Sequence, residues 1–178
     1  MSPVLRLLTN TRATLLARVL VLAIAAPQAW ADGSLLIVGG ALAEDNASVH
    51  RVLIDAMLPE GKMVIIPAAS GRPAKSAADF VRSLEKYGLP RDRIAVYPLA
   101  TRDDDATADV DESNWRKNAW HAESVSAVAN AAGFWFTGGD QMRITQTLLG
   151  DEGQESPLLA LIRQPLAPAA VVGGSSAG

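Results

Sequence analysis

Cysteine is absent from all 178 residues. A disulfide framework, a thiolate metal site and a cysteine nucleophile are therefore excluded. Basic charge is not in excess either: sixteen Lys and Arg stand against nineteen Asp and Glu, for a net charge of −3. Without a basic patch or a long run of one sign, nothing points to nucleic acid or to any partner recognised by gross electrostatics. Internal repeats and low-complexity stretches are also lacking. What is present is a chain with 49% hydrophobic residues, which fits one globular domain and does not fit a disordered one.

The first thirty residues have a composition of their own. Arg6, Arg12 and Arg18 occur without any acidic residue, an apolar run follows at 19–26, and Ala29-Trp30-Ala31 closes it. These are the three parts of a secretory signal peptide. The apolar run is too short to span a bilayer, which takes about 20 residues, so no stable membrane anchor is expected. The expected organisation is a signal peptide over residues 1–31, cleaved after Ala31, and an α/β domain over residues 32–178, secreted or periplasmic.

From there short apolar runs alternate with helical patterns. Residues 34–38 read as a strand buried on both faces, closed by Gly39-Gly40. A helix is expected over 47–58 and a strand over 62–66. A loop at 67–71, a helix over 74–87 and a strand over 94–99 come next. Residues 101–113 carry Asp103, Asp104, Asp105, Asp109, Asp111 and Glu112, but their spacing is not that of a calcium loop. They read as a solvated loop, and no metal is expected. Helices are predicted over 114–132, 142–149 and 156–164, and strands over 133–136 and 169–173. The glycines after the first strand lack the Gly-x-Gly-x-x-Gly spacing, so a dinucleotide site is not expected and no cofactor is implied. Five strands alternating with helices predict an α/β fold with a largely parallel sheet and helices on both faces. Every glycine-rich or polar loop then falls at a strand's carboxyl end, where ligands bind in such sheets.

The last strand runs into Gly173-Gly174-Ser175-Ser176-Ala177-Gly178. A Gly-x-Ser-x-Gly after a buried strand is the pattern of a nucleophile elbow, with the Ser176 hydroxyl lifted out at a sharp turn. A serine nucleophile also needs a base and a group to orient it. His50 and His121, the only histidines, both precede Ser176 and read as solvated helix residues. Gly138-Gly139-Asp140-Gln141 admits two readings. It is a tight turn with Asp140 capping the next helix, or a loop whose glycine N–H faces a developing oxyanion while Gln141 or Asp140 contacts substrate. The N–H of Ala177 would be a second oxyanion donor.

Taken together, the segments 137–141 and 173–178, with 64–70 and 38–40, resemble the cyanophycinase family of serine peptidases. That family is related to dipeptidase E and, through its fold, to class I glutamine amidotransferases, which are flavodoxin-like. The resemblance implies hydrolysis of aspartyl or β-aspartyl-linked peptides, with cyanophycin or isoaspartyl peptides as partners. By position it makes Ser176 the nucleophile, Gly139 and Ala177 the oxyanion donors, and Gln141 a substrate contact. It also puts the catalytic histidine and its acid after the nucleophile, so the chain up to Gly178 is expected to be inactive by itself, with an exposed sheet edge. A homodimer is compatible with this reading. Two other classes remain open: a non-catalytic periplasmic domain whose glycine loops hold a small anionic ligand, and an α/β-hydrolase esterase, against which stands the lack of a His-Gly-Gly-Gly loop.

Overall fold

The computed structural model describes residues 33–163 and 170–178. The expected signal peptide at 1–31 lies outside the described residues, as do Gln164 and Ala169 at the ends of a predicted helix and strand. Five strands are described, β1 (Ser34–Val38), β2 (Lys62–Ile66), β3 (Ile94–Val96), β4 (Ala131–Phe136) and β5 (Val171–Ser175). They form one sheet in the order β1-β5-β4-β2-β3, and every pairing is parallel. The described α-helices are α1 (Ala47–Asp55), α2 (Pro73–Lys86), α3 (Ala122–Ser126), α4 (Gln141–Leu148) and α5 (Pro157–Arg163).

A parallel sheet is stable only when both faces are covered, and the winding of the chain achieves this. From β1 through β2 to β3 the chain moves one way across the sheet, and from β3 through β4 to β5 it returns. With crossovers of one hand, reversing the direction moves the helices to the other face. On the first face Met63, Ile65, Trp135 and Val171 pack with Leu53 of α1 and Ala77, Val81 and Leu84 of α2. On the second, Val64, Ile66 and Phe134 pack with Ala119, Val125, Leu148 and Leu158. This is the expected α/β fold with helices on both faces, compatible with a flavodoxin-like arrangement.

Three expectations need correction. β1 is not buried on both faces: Leu35 is 69% and Ile37 79% exposed, because β1 is an edge strand whose outer residues find no covering helix among those described. The helix expected over 114–132 is a 3-10 segment, Trp115–Trp120, followed by the short α3. Tertiary hydrogen bonds compete with helix continuation there. Tyr97 Oη donates to Asn118 O at 2.6 Å, Asn118 Nδ2 to Pro98 O at 2.6 Å, and Trp120 Nε1 to Thr147 O at 3.2 Å.

The acidic segment is irregular as expected, yet it is not wholly solvated. Glu112 is 1% exposed. Its carboxylate accepts from Ala74 N at 3.1 Å and from Asp104 N at 3.0 Å. Arg72, at the N-cap of α2, makes no side-chain capping bond. Glu112 thus supplies, from 38 residues away, an acceptor that the free N–H groups of the first helical turn require. Among the described residues there is no group of three or more His, Cys, Asp or Glu side chains placed to hold a metal.

Tyr97 supplies a pH test of this packing. Burial pushes its hydroxyl up to about 12, whereas a tyrosine in the unfolded chain titrates near 10. Between these values the unfolded state has lost the proton that the folded state keeps, so stability falls as pH rises. The contribution is expected to be complete below about pH 10 and to decline from there towards pH 12. Urea-unfolding midpoints across this range should fall less steeply in Tyr97→Phe, and equal slopes would count against the burial.

Candidate functional site

Four loops leave the carboxyl ends of the adjacent strands β1, β5, β4 and β2. The chain leaving β2 turns to one face and the chain leaving β4 to the other, which makes a topological switch point where ligands bind in open sheets. A cavity of about 550 Å³ lies at this edge, lined by residues from all four loops and from α1 and α2, including Ser70, Thr137, Gly138, Gly139, Ser175 and Ser176.

Ser176 is the first residue past β5, and its φ is 57°. Among the described non-glycine residues it alone has positive φ. The left-handed region disfavours an L side chain by about 1–2 kcal/mol, so the surroundings must hold it there. Ser176 N donates to Val38 O at 2.9 Å and Gly178 N to Ser175 O at 2.9 Å, which tie the turn to β1 and to itself. Ser175 is nearly buried and Ser176 exposed. The turn therefore presents the side chain of Ser176, as a nucleophile requires.

The 137–141 loop is fitted against this turn. A Cβ on Gly138 would stand 3.0 Å from Ser176 Cβ. One on Gly139 would overlap the carbonyl oxygen of Ala69, in the loop after β2. That oxygen accepts from Asp140 N at 2.9 Å and from Arg143 Nη1 at 3.1 Å. Glycine is needed here for close approach more than for its dihedral freedom. Neither Gly139 N–H nor Ala177 N–H donates to a backbone carbonyl among the described residues.

The expected site residues do not all meet. Ser176 and Gly139 line the cavity, and Ala177 follows Ser176 in the turn. Asp140 is the N-cap of α4, its Oδ1 accepting from Met142 N at 2.9 Å. Gln141 opens that helix on an exposed position. Neither is among the cavity-lining residues. The capping reading of Asp140 is thus observed directly.

Other residues of the cavity were not anticipated. His50 is 1% exposed, which corrects its expected solvated position. Its Nδ1 lies 2.7 Å from Asn46 O, and its ring stacks on Tyr87 at 4.7 Å and contacts Phe80 at 5.8 Å. Phe80 in turn stacks on Trp135 at 4.8 Å and 5°. The signal was present: His50 and Leu53 stand three residues apart in α1 and share its buried stripe. Asp79 also lines the cavity. Its hydrogen bond from Lys75 Nζ, at 2.6 Å, holds its carboxyl below the usual carboxylate range, helped by Arg82. The Lys75 and Asp79 charges are therefore paired in the wall. His121, by contrast, is exposed as expected.

No family model matches the chain. Among solved structures, it is similar to a peptidase from an acI-B1 Actinobacterium, with a TM-score of 0.57 and 24% sequence identity. The match covers 83% of this chain and 55% of that one, so the chain spans little more than half the length of this neighbour. The likeness is one of fold.

The contact between Gly139 and Ala69 can be tested directly. Gly139→Ala is expected to destabilise the protein by about 2 kcal/mol, from overpacking together with backbone strain. Gly71→Ala, whose Cβ would meet only Arg143 Nη1 at 3.4 Å, should be near neutral. Urea denaturation of the two variants checks this, and equal effects would show that the loops are not pinned at Ala69.

Proposed function

We propose that the protein is a serine-type peptidase similar to the cyanophycinases, acting outside the cytoplasm on aspartyl or β-aspartyl-linked peptides. The observation that carries this reading is the left-handed conformation of Ser176 at the carboxyl edge of a parallel sheet, packed against a glycine loop beside a cavity that both line. A peptidase among structures of similar fold agrees with it.

In this reading Ser176 Oγ attacks the scissile carbonyl carbon, and its proton passes to a base. The carbonyl oxygen gains negative charge and is met by the N–H groups of Gly139 and Ala177. Collapse breaks the carbon–nitrogen bond, the amine leaves with a proton from the base, and water then hydrolyses the ester on Ser176. With Asp140 engaged as the cap of α4, Gln141 is the residue left on that helix start to contact the substrate. The resemblance assigns base and orienting acid to residues after the nucleophile. Residues 32–178 by themselves should then show no useful turnover, since loss of triad members costs ~10⁴ to 10⁶ in rate.

The test uses the protein isolated from its source. Diisopropyl fluorophosphate should modify Ser176, detected by mass spectrometry of its peptide. β-Aspartyl-arginine should be cleaved, and Ser176→Ala should abolish both. Undiminished cleavage by Ser176→Ala, or modification at another serine only, would overturn the assignment.

A further inference from the structure

Glycine has the widest backbone freedom of any residue, so the loop carrying Gly138 and Gly139 does not fix its own course. What fixes it lies outside the loop. Gly138 packs on the turn after β5, where a Cβ would stand 3.0 Å from both Ser175 O and Ser176 Cβ. A Cβ on Gly139 would meet Ala69 O, Ala69 C and Ser70 N, which belong to one peptide unit in the loop after β2. The seat of Gly139 is therefore the Ala69–Ser70 peptide.

That peptide is held by hydrogen bonds at both ends. Ser70 N donates to Pro67 O at 3.0 Å. Ala69 O accepts from Asp140 N at 2.9 Å and from Arg143 Nη1 at 3.1 Å, which uses both lone pairs of the carbonyl. Ala68 and Ala69 are 0% exposed, so bulk water does not compete for this oxygen. Of its two donors, only Arg143 uses a side chain.

The guanidinium of Arg143 addresses two groups. Nη1 bonds Ala69 O, and Nε lies 3.8 Å from Asp140 Oδ2, on the cap of α4. The side chain is only 20% exposed, and Arg143 is not among the residues that line the cavity of Ser176. It reaches that cavity only through Ala69 and Gly139. We infer that Arg143 is a positioning residue for the reaction at Ser176. It fixes the Ala69–Ser70 peptide, and that peptide holds Gly139 N–H where the oxyanion develops. The inference rests on the peptidase reading above, in which Gly139 is an oxyanion donor.

Arg143→Met and Arg143→Lys are made in the protein as its source produces it, and cleavage of β-aspartyl-arginine is followed against substrate concentration. Methionine keeps an unbranched apolar stem and removes every donor. Lysine keeps the charge and a donor for Ala69 O, but lacks the fork that addresses Asp140 as well. Arg143→Met is expected to lower kcat about ten- to a hundredfold, the effect of a displaced group remote from the chemistry. KM should stay within about twofold, because an interaction made only in the transition state is weakened. Arg143→Lys should fall between Arg143→Met and the unsubstituted protein. The rate at which diisopropyl fluorophosphate modifies Ser176 should follow the same order, since its phosphoryl oxygen draws on the same N–H groups.

Unaltered kcat in both variants overturns the positioning role. So does a loss carried by KM, which would make Arg143 a substrate contact, or an equal loss in the two variants, which would mark packing alone. Should Arg143→Met fail to fold, Arg143→Lys decides, and an unaltered kcat and labelling rate there overturn the role. The unsubstituted protein separates this inference from the reading it rests on. If it neither cleaves the dipeptide nor labels at Ser176, the peptidase reading falls and the role falls with it. If it does both and Arg143→Met matches it, the role alone falls.

Discussion

The carbonyl oxygen of Ala69 joins two loops some seventy residues apart in sequence. It accepts from Asp140 N and from Arg143 Nη1, and the α-carbon of Gly139 sits against it with no room for a side chain. Through this single acceptor the loop after β2 fixes the loop after β4, and the loop after β4 fixes the approach of Gly138 to Ser176. An oxyanion donor is useful only if it is already in place when charge develops. Placement within a fraction of an ångström is what a carbonyl bonded to both a backbone amide and a guanidinium can give to an otherwise irregular segment. Arg143 also lies near Asp140, Nε to Oδ2 at 3.8 Å, so the start of α4 and the loop are held from the same side chain.

The sheet contributes the other half of the geometry. β5 lies between β1 and β4, with Gly173 opposite Leu36 on one side and Trp135 on the other. A side chain at Gly173 would collide with the six-membered ring of Trp135, so the missing side chain is what lets that indole lie across β5 and stack on Phe80. The strand that ends at the serine and the aromatic wall of the cavity are thus one packing arrangement.

How much of this was legible in the sequence depends on whether a signal is local. The strands were, because a parallel sheet covered on both faces requires continuous apolar runs, and 62–66 and 133–136 have no other reading. The end of β5 was less so: the strand was expected to stop at Gly173, yet Gly174 and Ser175 also pair within it, and the turn begins at Ser176. The exposure of Leu35 and Ile37 was hidden because an apolar run does not say which neighbours cover it. Glu112 lay in a run of similar carboxylates, and its partner at Ala74 follows a helix start whose lack of a capping side chain was the one available hint. The elbow and its glycine loop were legible as motifs. The cavity wall was not, since Trp135 and Thr137 meet there only through the tertiary structure, with Nε1 and Oγ1 left unpaired among the described residues.

These unmade bonds and the strained serine point the same way. A left-handed φ at Ser176 costs about 1–2 kcal/mol, and a buried polar group without a partner costs about 1–3 kcal/mol. For stability alone the remedies are simple: glycine at 176 relieves the backbone, and valine at 137 removes the unpaired hydroxyl. Both costs fall on residues that line one cavity, although Trp135 also belongs to the core cluster on the first face. A fold that satisfies its local rules through the sheet and departs from them around one opening marks that opening as more than packing. The strained backbone of Ser176 at the cavity is therefore an argument for a functional site that is independent of the motif by which Ser176 is read.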